Sequence, residues 1–161
     1  MEVLEILGII VIVLVVLYFL MIMPRILHKP DTSYFCNWRY AHRGLHDNQS
    51  EAPENSLAAF RKAVEAGFGI ELDIQLSKDR IPVVFHDFTL KRVCGAPGKV
   101  CDYTYEELQK FSLCGSGQKI PALEEVLKLV DGKVPLIVEF KIERTNLSLC
   151  PVADKLLRAY R

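Results

Sequence analysis

The sequence predicts an α/β domain, its strands and helices alternating to form a parallel sheet or barrel, behind one membrane-spanning helix. Three observations carry this. Residues 6–23 read ILGIIVIVLVVLYFLMIM, without a charge or a proline. Beyond them, four apolar strand-like runs are mostly separated by stretches of helical periodicity. The chain has 161 residues, the size of one domain rather than two.

The N-terminal run is long enough to cross a bilayer core of roughly 30 Å, which takes about 20 apolar residues. Its leading charges, Glu2 and Glu5, are negative, and no small-residue cleavage site follows Met23. An uncleaved anchor therefore fits better than a secretory signal. A buried core helix would need neighbours covering an apolar surface on all sides, and the surrounding sequence supplies none. Arg25, His28 and Lys29 follow at once, so the positive-inside rule puts the rest of the chain in the cytoplasm. The expected organisation is an anchor with a basic flank over 1–29, a polar linker over 30–35 and a globular domain over 36–161. Twenty Lys and Arg balance twenty Asp and Glu, which argues against nucleic-acid binding. Cys36, Cys94, Cys101, Cys114 and Cys150 are odd in number and lack a C-x-x-C pair. Free thiols in a reducing compartment are expected, not a zinc site of closely paired ligands.

The elements follow in order. Residues 38–42 form the first strand. A helix over 56–66 places Leu57, Phe60 and Val64 on one face and stops at Gly67. The second strand covers 69–76. Residues 77–81 are too few for a parallel crossover, so the next strand, 82–86, returns as a hairpin-like excursion. A helix over 104–110 opens with the capping-box pattern Thr104-Tyr105-Glu106-Glu107. Another, over 120–130, has Pro121 at its start and spaces Leu123, Val126, Leu127 and Val130 at helical intervals. The fourth strand is 136–141. A last helix, 148–160, aligns Val152, Leu156 and Tyr160.

The strands carry the chemistry. Glu71 and Asp73 are two apart, so both carboxylates leave the same face. Two such carboxylates among apolar neighbours resist ionising unless a cation sits between them, and hard Mg²⁺ or Ca²⁺ suits an all-oxygen site. An exposed sheet face with solvated acids accounts for this pair alone equally well. His42-Arg43 and His86-Asp87 stand at two strand ends, where catalytic groups of α/β folds gather. Glu139 and Lys141 again share a face; a buried lysine needs an anionic partner, and a Glu–Lys pair at the sheet rim is the plainer reading. Together these residues make a metal-plus-anion acid/base site of the kind phosphoester chemistry needs.

His42-Arg43-Gly44, Pro53-Glu54-Asn55-Ser56, Glu71-Leu72-Asp73, His86-Asp87 and Glu139-Phe140-Lys141 occur in that order, together with Ile120-Pro121-Ala122-Leu123-Glu124-Glu125-Val126-Leu127. In order and spacing this resembles the glycerophosphodiester phosphodiesterase family, from about Trp38 onward. The resemblance implies a TIM-barrel phosphodiesterase that cleaves glycerophosphodiesters to glycerol 3-phosphate and an alcohol. It implies His42 and His86 as the acid/base pair and Glu71, Asp73 and Glu139 as ligands of a divalent metal, Mg²⁺ or Ca²⁺. Arg43 and Lys141 would bind the phosphate, with Glu54 and Asn55 supporting. Ser56 stands where the family has threonine, at a helix N-cap. A full barrel takes about 250 residues, so only its first half is expected here, with self-association as one way to cover what a half-barrel exposes. The anchor suggests lipid-derived glycerophosphodiesters or lysophospholipids as substrates. Two other readings share these residues: an inactive membrane-anchored fragment or interaction module, and a related barrel phospholipase of phosphoinositide-specific or sphingomyelinase D type.

Overall fold

In the computed structural model, which describes residues 3–24, 29–143 and 147–160, the N-terminal apolar run forms α1 (Val3–Ile22). Its 20 residues buries none of their side chains, and it is long and apolar enough to cross a membrane. Arg25 and His28 of the expected basic flank lie outside the described residues. A single helical turn, α2 (Ser33–Cys36), follows within the stretch read as a linker. The chain divides into two compact units, Met1–Cys36 and Asn37–Arg161.

In the second unit the chain runs through β1 (Tyr40–His42), α3 (Leu57–Glu65), β2 (Gly69–Leu76) and β3 (Pro82–Val84). It continues through α4 (Lys91–Cys94), α5 (Tyr105–Leu108), α6 (Leu123–Val130), β4 (Leu136–Phe140) and α7 (Leu149–Ala159). β2 is the centre of the sheet. β1 pairs with its first residues in parallel, β4 runs parallel along the opposite edge, and β3 turns back antiparallel to its last residues. The antiparallel return is the excursion expected from the short 77–81 connection. Parallel pairing of β1, β2 and β4 then needs the long helical connections that the sequence supplies.

Side-chain alternation divides the sheet into two faces. Ala41, Ile70, Leu72 and Ile74 join Phe60 and Ala63 of α3, Leu123, Val126 and Val130 of α6, and Leu149 and Ala153 of α7 in one core. Thus the apolar face is covered by helices, and the acidic residues fall on the other. Ser56 caps α3, its Oγ accepting from Ala59 N at 3.1 Å. Thr104 and Glu107 close the expected capping box, although the helix it starts is one turn long.

One boundary differs from expectation for a physical reason. Residues 120–122 are extended rather than helical because they pair with β3: Val84 N donates to Pro121 O, and Val83 bridges Ala122. The helix starts only at Leu123, where the Glu125 carboxylate accepts from Ala122 N. Between β3 and α6 the chain builds a small lobe with its own core, formed by Phe85, Leu90, Val93, Val100, Leu108, Leu113 and Ile120. All five cysteines are free.

Candidate active site

The site begins with strand register. His42, the last residue of β1, pairs with Glu71; Asp73 pairs with Glu139 of β4. Neighbours in register point to the same side, so His42, Glu71, Asp73 and Glu139 share the face that the helices leave uncovered. Carboxylate oxygens of Glu71, Asp73 and Glu139 come within 4.8 Å of one another. His42 Nε2 lies 3.9 Å from Glu71 Oε2 and its side chain is exposed.

Cations meet these acids. Lys141 Nζ is 2.6 Å from Glu139 Oε1 and 3.1 Å from Asp73 Oδ1. Burial works against its charge, but the Glu139 and Asp73 carboxylates outweigh that and raise its pKa. Arg43 Nε sits 3.5 Å from Asp73 Oδ2, which also accepts from Asn55 Nδ2 at 3.0 Å. Asp73 is fully buried, so its charge depends on these partners. Its Oδ1 has the Lys141 ammonium close by but no hydrogen bond of good geometry among the described residues.

The turn after β1 aims Arg43. Arg43 and Gly44 both have positive φ, and a Cβ on Gly44 would lie 2.9 Å from Ala59 Cβ, so glycine is required for α3 to approach. Arg43 N donates to Glu71 Oε2 and Arg43 O accepts from Asn55 N, itself at positive φ. Two non-glycine residues in a sparsely populated region, each tied by such bonds, mark a backbone over-determined by its surroundings.

His86 stands on a separate loop, just past the end of β3. Its Nδ1 is 2.6 Å from Asp87 Oδ1. The link between the two loops runs through Glu54, whose Oε1 accepts from Arg43 NH1 at 2.9 Å and from Arg92 NH2 at 2.7 Å, with Arg92 Nε 2.7 Å from Asp87 Oδ2; Glu54 Oε2 also accepts from Asn48 Nδ2 at 2.8 Å. The structure thus brings together Arg43, Glu54, Asn55, Glu71, Asp73, Glu139 and Lys141 directly. His42 adjoins them through Glu71, and the His86 side chain is joined through Asp87 and its partners.

Residues 42–159 match the model of the glycerophosphoryl diester phosphodiesterase family. The chain belongs to this family. A glycerophosphodiester phosphodiesterase of Caldanaerobacter subterraneus is 40% identical over 129 residues, 75% of this chain and 51% of that protein. Human glycerophosphodiester phosphodiesterase 1 is 40% identical over 96 residues, 54% of this chain and 28% of that protein. Among solved structures, an Oleispira antarctica phosphodiesterase in complex with the product sn-glycerol-3-phosphate has a TM-score of 0.69 at 29% identity, over 76% of this chain and 52% of that one. A Thermotoga maritima glycerophosphodiester phosphodiesterase gives 0.63 at 36% identity, over 76% and 50%. The fold is therefore the first half of a TIM-barrel-type phosphodiesterase, and the chain spans about half the length of the relatives it matches.

In this phosphodiesterase family member three further residues, outside the motifs, contribute to the site. Gln75 continues the series Glu71, Asp73 along the same face of β2; its Nε2 donates to the carbonyls of Phe85 and Asp87, both at 2.8 Å, and so holds the His86 loop from either side. The alternation that revealed the acids contains Gln75 too. Asn48 supports Glu54 by accepting from its backbone N. Arg92 bonds both Glu54 and Asp87, and no local spacing signals that.

These phosphodiesterase loops are held by charge, which sets a pH dependence. The Arg92 hydrogen bonds outweigh desolvation and, with Asn48 and Arg43, hold Glu54 down to about 2 from 4.5. Asp87 is lowered too, first by Arg92 and then by His86. A carboxyl with a lower pKa in the folded state contributes stability above its unfolded value and loses it as pH falls through the folded one. Denaturant unfolding of the full chain is expected to weaken progressively from about pH 5 toward pH 2, with Glu54→Gln costing about 2–3 kcal/mol near pH 7 and flattening that slope. An unchanged acid limb in Glu54→Gln would contradict it.

Proposed function

We propose that this chain carries out metal-dependent hydrolysis of glycerophosphodiesters to glycerol 3-phosphate and an alcohol, in lipid metabolism at a membrane. The observation that carries the reading is the convergence of His42, Glu71, Asp73, Glu139, Lys141 and Arg43 at one open sheet face. Glu71, Asp73 and Glu139 are the residues that hold the divalent cation, Mg²⁺ or Ca²⁺. An all-oxygen set suits hard cations, and the buried Asp73 Oδ1, without a well-formed hydrogen bond, fits a ligand atom. When bound, the cation supplies Lewis-acid polarisation of a phosphoryl oxygen.

The protein's own side chains do the rest. Arg43 and Lys141 are the fixed positive charges for the phosphodiester anion and for the charge that builds on its oxygens. Glu54 and Asn55 hold Arg43 and Asp73 in place for that role. His42 and His86 exchange protons with the attacking group and the leaving alkoxide, a contribution worth about 10²–10⁴-fold.

The α1 helix supports a single-pass anchor, with the basic flank Arg25, His28 and Lys29 favouring a cytoplasmic catalytic unit. Anchoring brings the site to lipid-derived substrates, lysophospholipids among them. The acid face also carries Ile137, 45% exposed, and self-association would cover it. The test is turnover of glycerophosphocholine by the detergent-solubilised full chain. Glycerol 3-phosphate released with Mg²⁺ or Ca²⁺ and lost in EDTA supports the reading. No turnover by folded protein favours an inactive membrane-anchored module, and a phosphoinositol or cyclic phosphate product favours the related phospholipases.

A further inference from the structure

Arg92 lies on α4, which the lobe core grips through Val93. One part of its guanidinium fits Asp87, with Nε 2.7 Å from Oδ2 and NH2 2.9 Å from Oδ1. The other part fits Glu54, with NH1 2.8 Å from Oε2 and NH2 2.7 Å from Oε1. Each carboxylate is held at both oxygens, the arrangement for which a planar guanidinium is suited and an ammonium is not. Glu54 is the residue that also holds Arg43, and Asp87 is the residue that touches His86. The two loops are 38 residues apart at the Glu54–Arg92 bond, and this guanidinium is where they meet.

The consequence for His86 follows from donor and acceptor chemistry. An ionised carboxylate only accepts, so at 2.6 Å the Nδ1 of His86 carries the proton and Nε2 of the neutral ring is left bare. Asp87, pinned by Arg92, cannot swing away, and the Gln75 amide fixes the backbone on both sides of the ring.

We infer that Arg92 is a positioning residue for the hydrolysis: it locks Asp87 so that His86 is held as the Nδ1–H tautomer, and through Glu54 it sets that ring and the Arg43 guanidinium as one unit. The inference rests on the reaction proposed above for what the positioned groups do, but its structural core can be read without turnover.

The test is nitrogen-15 NMR of histidine-labelled full chain in micelles, with no substrate, at a pH about two units above the ordinary imidazole value of ~6.5. The chain has four histidines, and a His86→Asn variant assigns the His86 signals. In the wild type His86 shows its proton on Nδ1. In Arg92→Ala and in Arg92→Lys, the signals move toward the mixture, rich in Nε2–H, of an unrestrained imidazole, while those of His42 and His46 stay put. A wild-type proton on Nε2 overturns the inference, as does a folded Arg92 variant that keeps the wild-type His86 signals. Loss of the folded spectrum in both variants overturns it as well, because Arg92 is then a residue the fold itself requires. If the wild-type chain hydrolyses glycerophosphocholine, Arg92→Lys lowers kcat about 10- to 100-fold with KM changed less than about threefold. If the wild type does not, the proposed activity fails, and the tautomer measurement still decides the role of Arg92.

Discussion

Asp73→Ala is expected to destabilise the α/β unit by about 3–5 kcal/mol as well as to abolish the proposed hydrolysis. The carboxylate is fully buried, and Arg43, Lys141 and Asn55 all converge on it. Removing it leaves a cavity with the Asn55 amide unpaired, and two largely buried cations with one acid each, Lys141 on Glu139 and Arg43 on Glu54. The cost is that of a cavity, an unpaired buried amide and an excess of buried positive charge, which exceeds the net worth of the pairs that are lost. Denaturant unfolding of the full chain checks it. Asp73→Asn, which keeps the volume, should lose less stability but the same activity, because the charge that opposes Arg43 and Lys141 is gone. A stability change below about 0.5 kcal/mol in Asp73→Ala, the range of ordinary surface substitutions, would contradict the account.

His42→Ala should affect activity alone: lower the kcat of the proposed hydrolysis by about 10²–10⁴-fold and leave stability within about 0.5 kcal/mol. Its side chain is 67% exposed, and its nearest charged partner is Glu71 at 3.9 Å. Nothing in the core depends on it. Steady-state kinetics beside an unfolding curve separates the two effects, and a variant keeping more than about a tenth of wild-type kcat would remove His42 from the proton-transfer role.

The contrast between these residues explains how much of the site was legible in the sequence. Period-two alternation put Glu71 and Asp73 on one face, and β4 brought Glu139 beside Asp73 by register, so the acid cluster follows from strand geometry alone. The antiparallel return of β3 was equally plain, because five residues cannot make a parallel crossover. Gln75 stood in the same alternating series, but an amide does not titrate and carries no charge to attract notice. Arg92 was invisible for a different reason. Its partner Glu54 is distant in sequence, and α4 is a four-residue helix too short to show any periodicity. The lobe between β3 and α6 is built of such short turns, with a core assembled from scattered apolar residues rather than from a stripe. Residues 120–122 look like the start of a helix because Pro121 suits a first turn, yet pairing with β3 captures their backbone instead.

Side chains from β1, β2, β4 and the residues just past them are proposed to form one site for a cation and a phosphate in this chain. Calorimetric titration of sn-glycerol 3-phosphate into the solubilised full chain tests it most directly, in Ca²⁺ or Mg²⁺ and in EDTA. The account predicts saturable binding with the cation, weakened at least about tenfold, or about 1.4 kcal/mol, by EDTA and by Lys141→Met. Binding by folded protein that ignores both the cation and Lys141, or no binding at all, would contradict it.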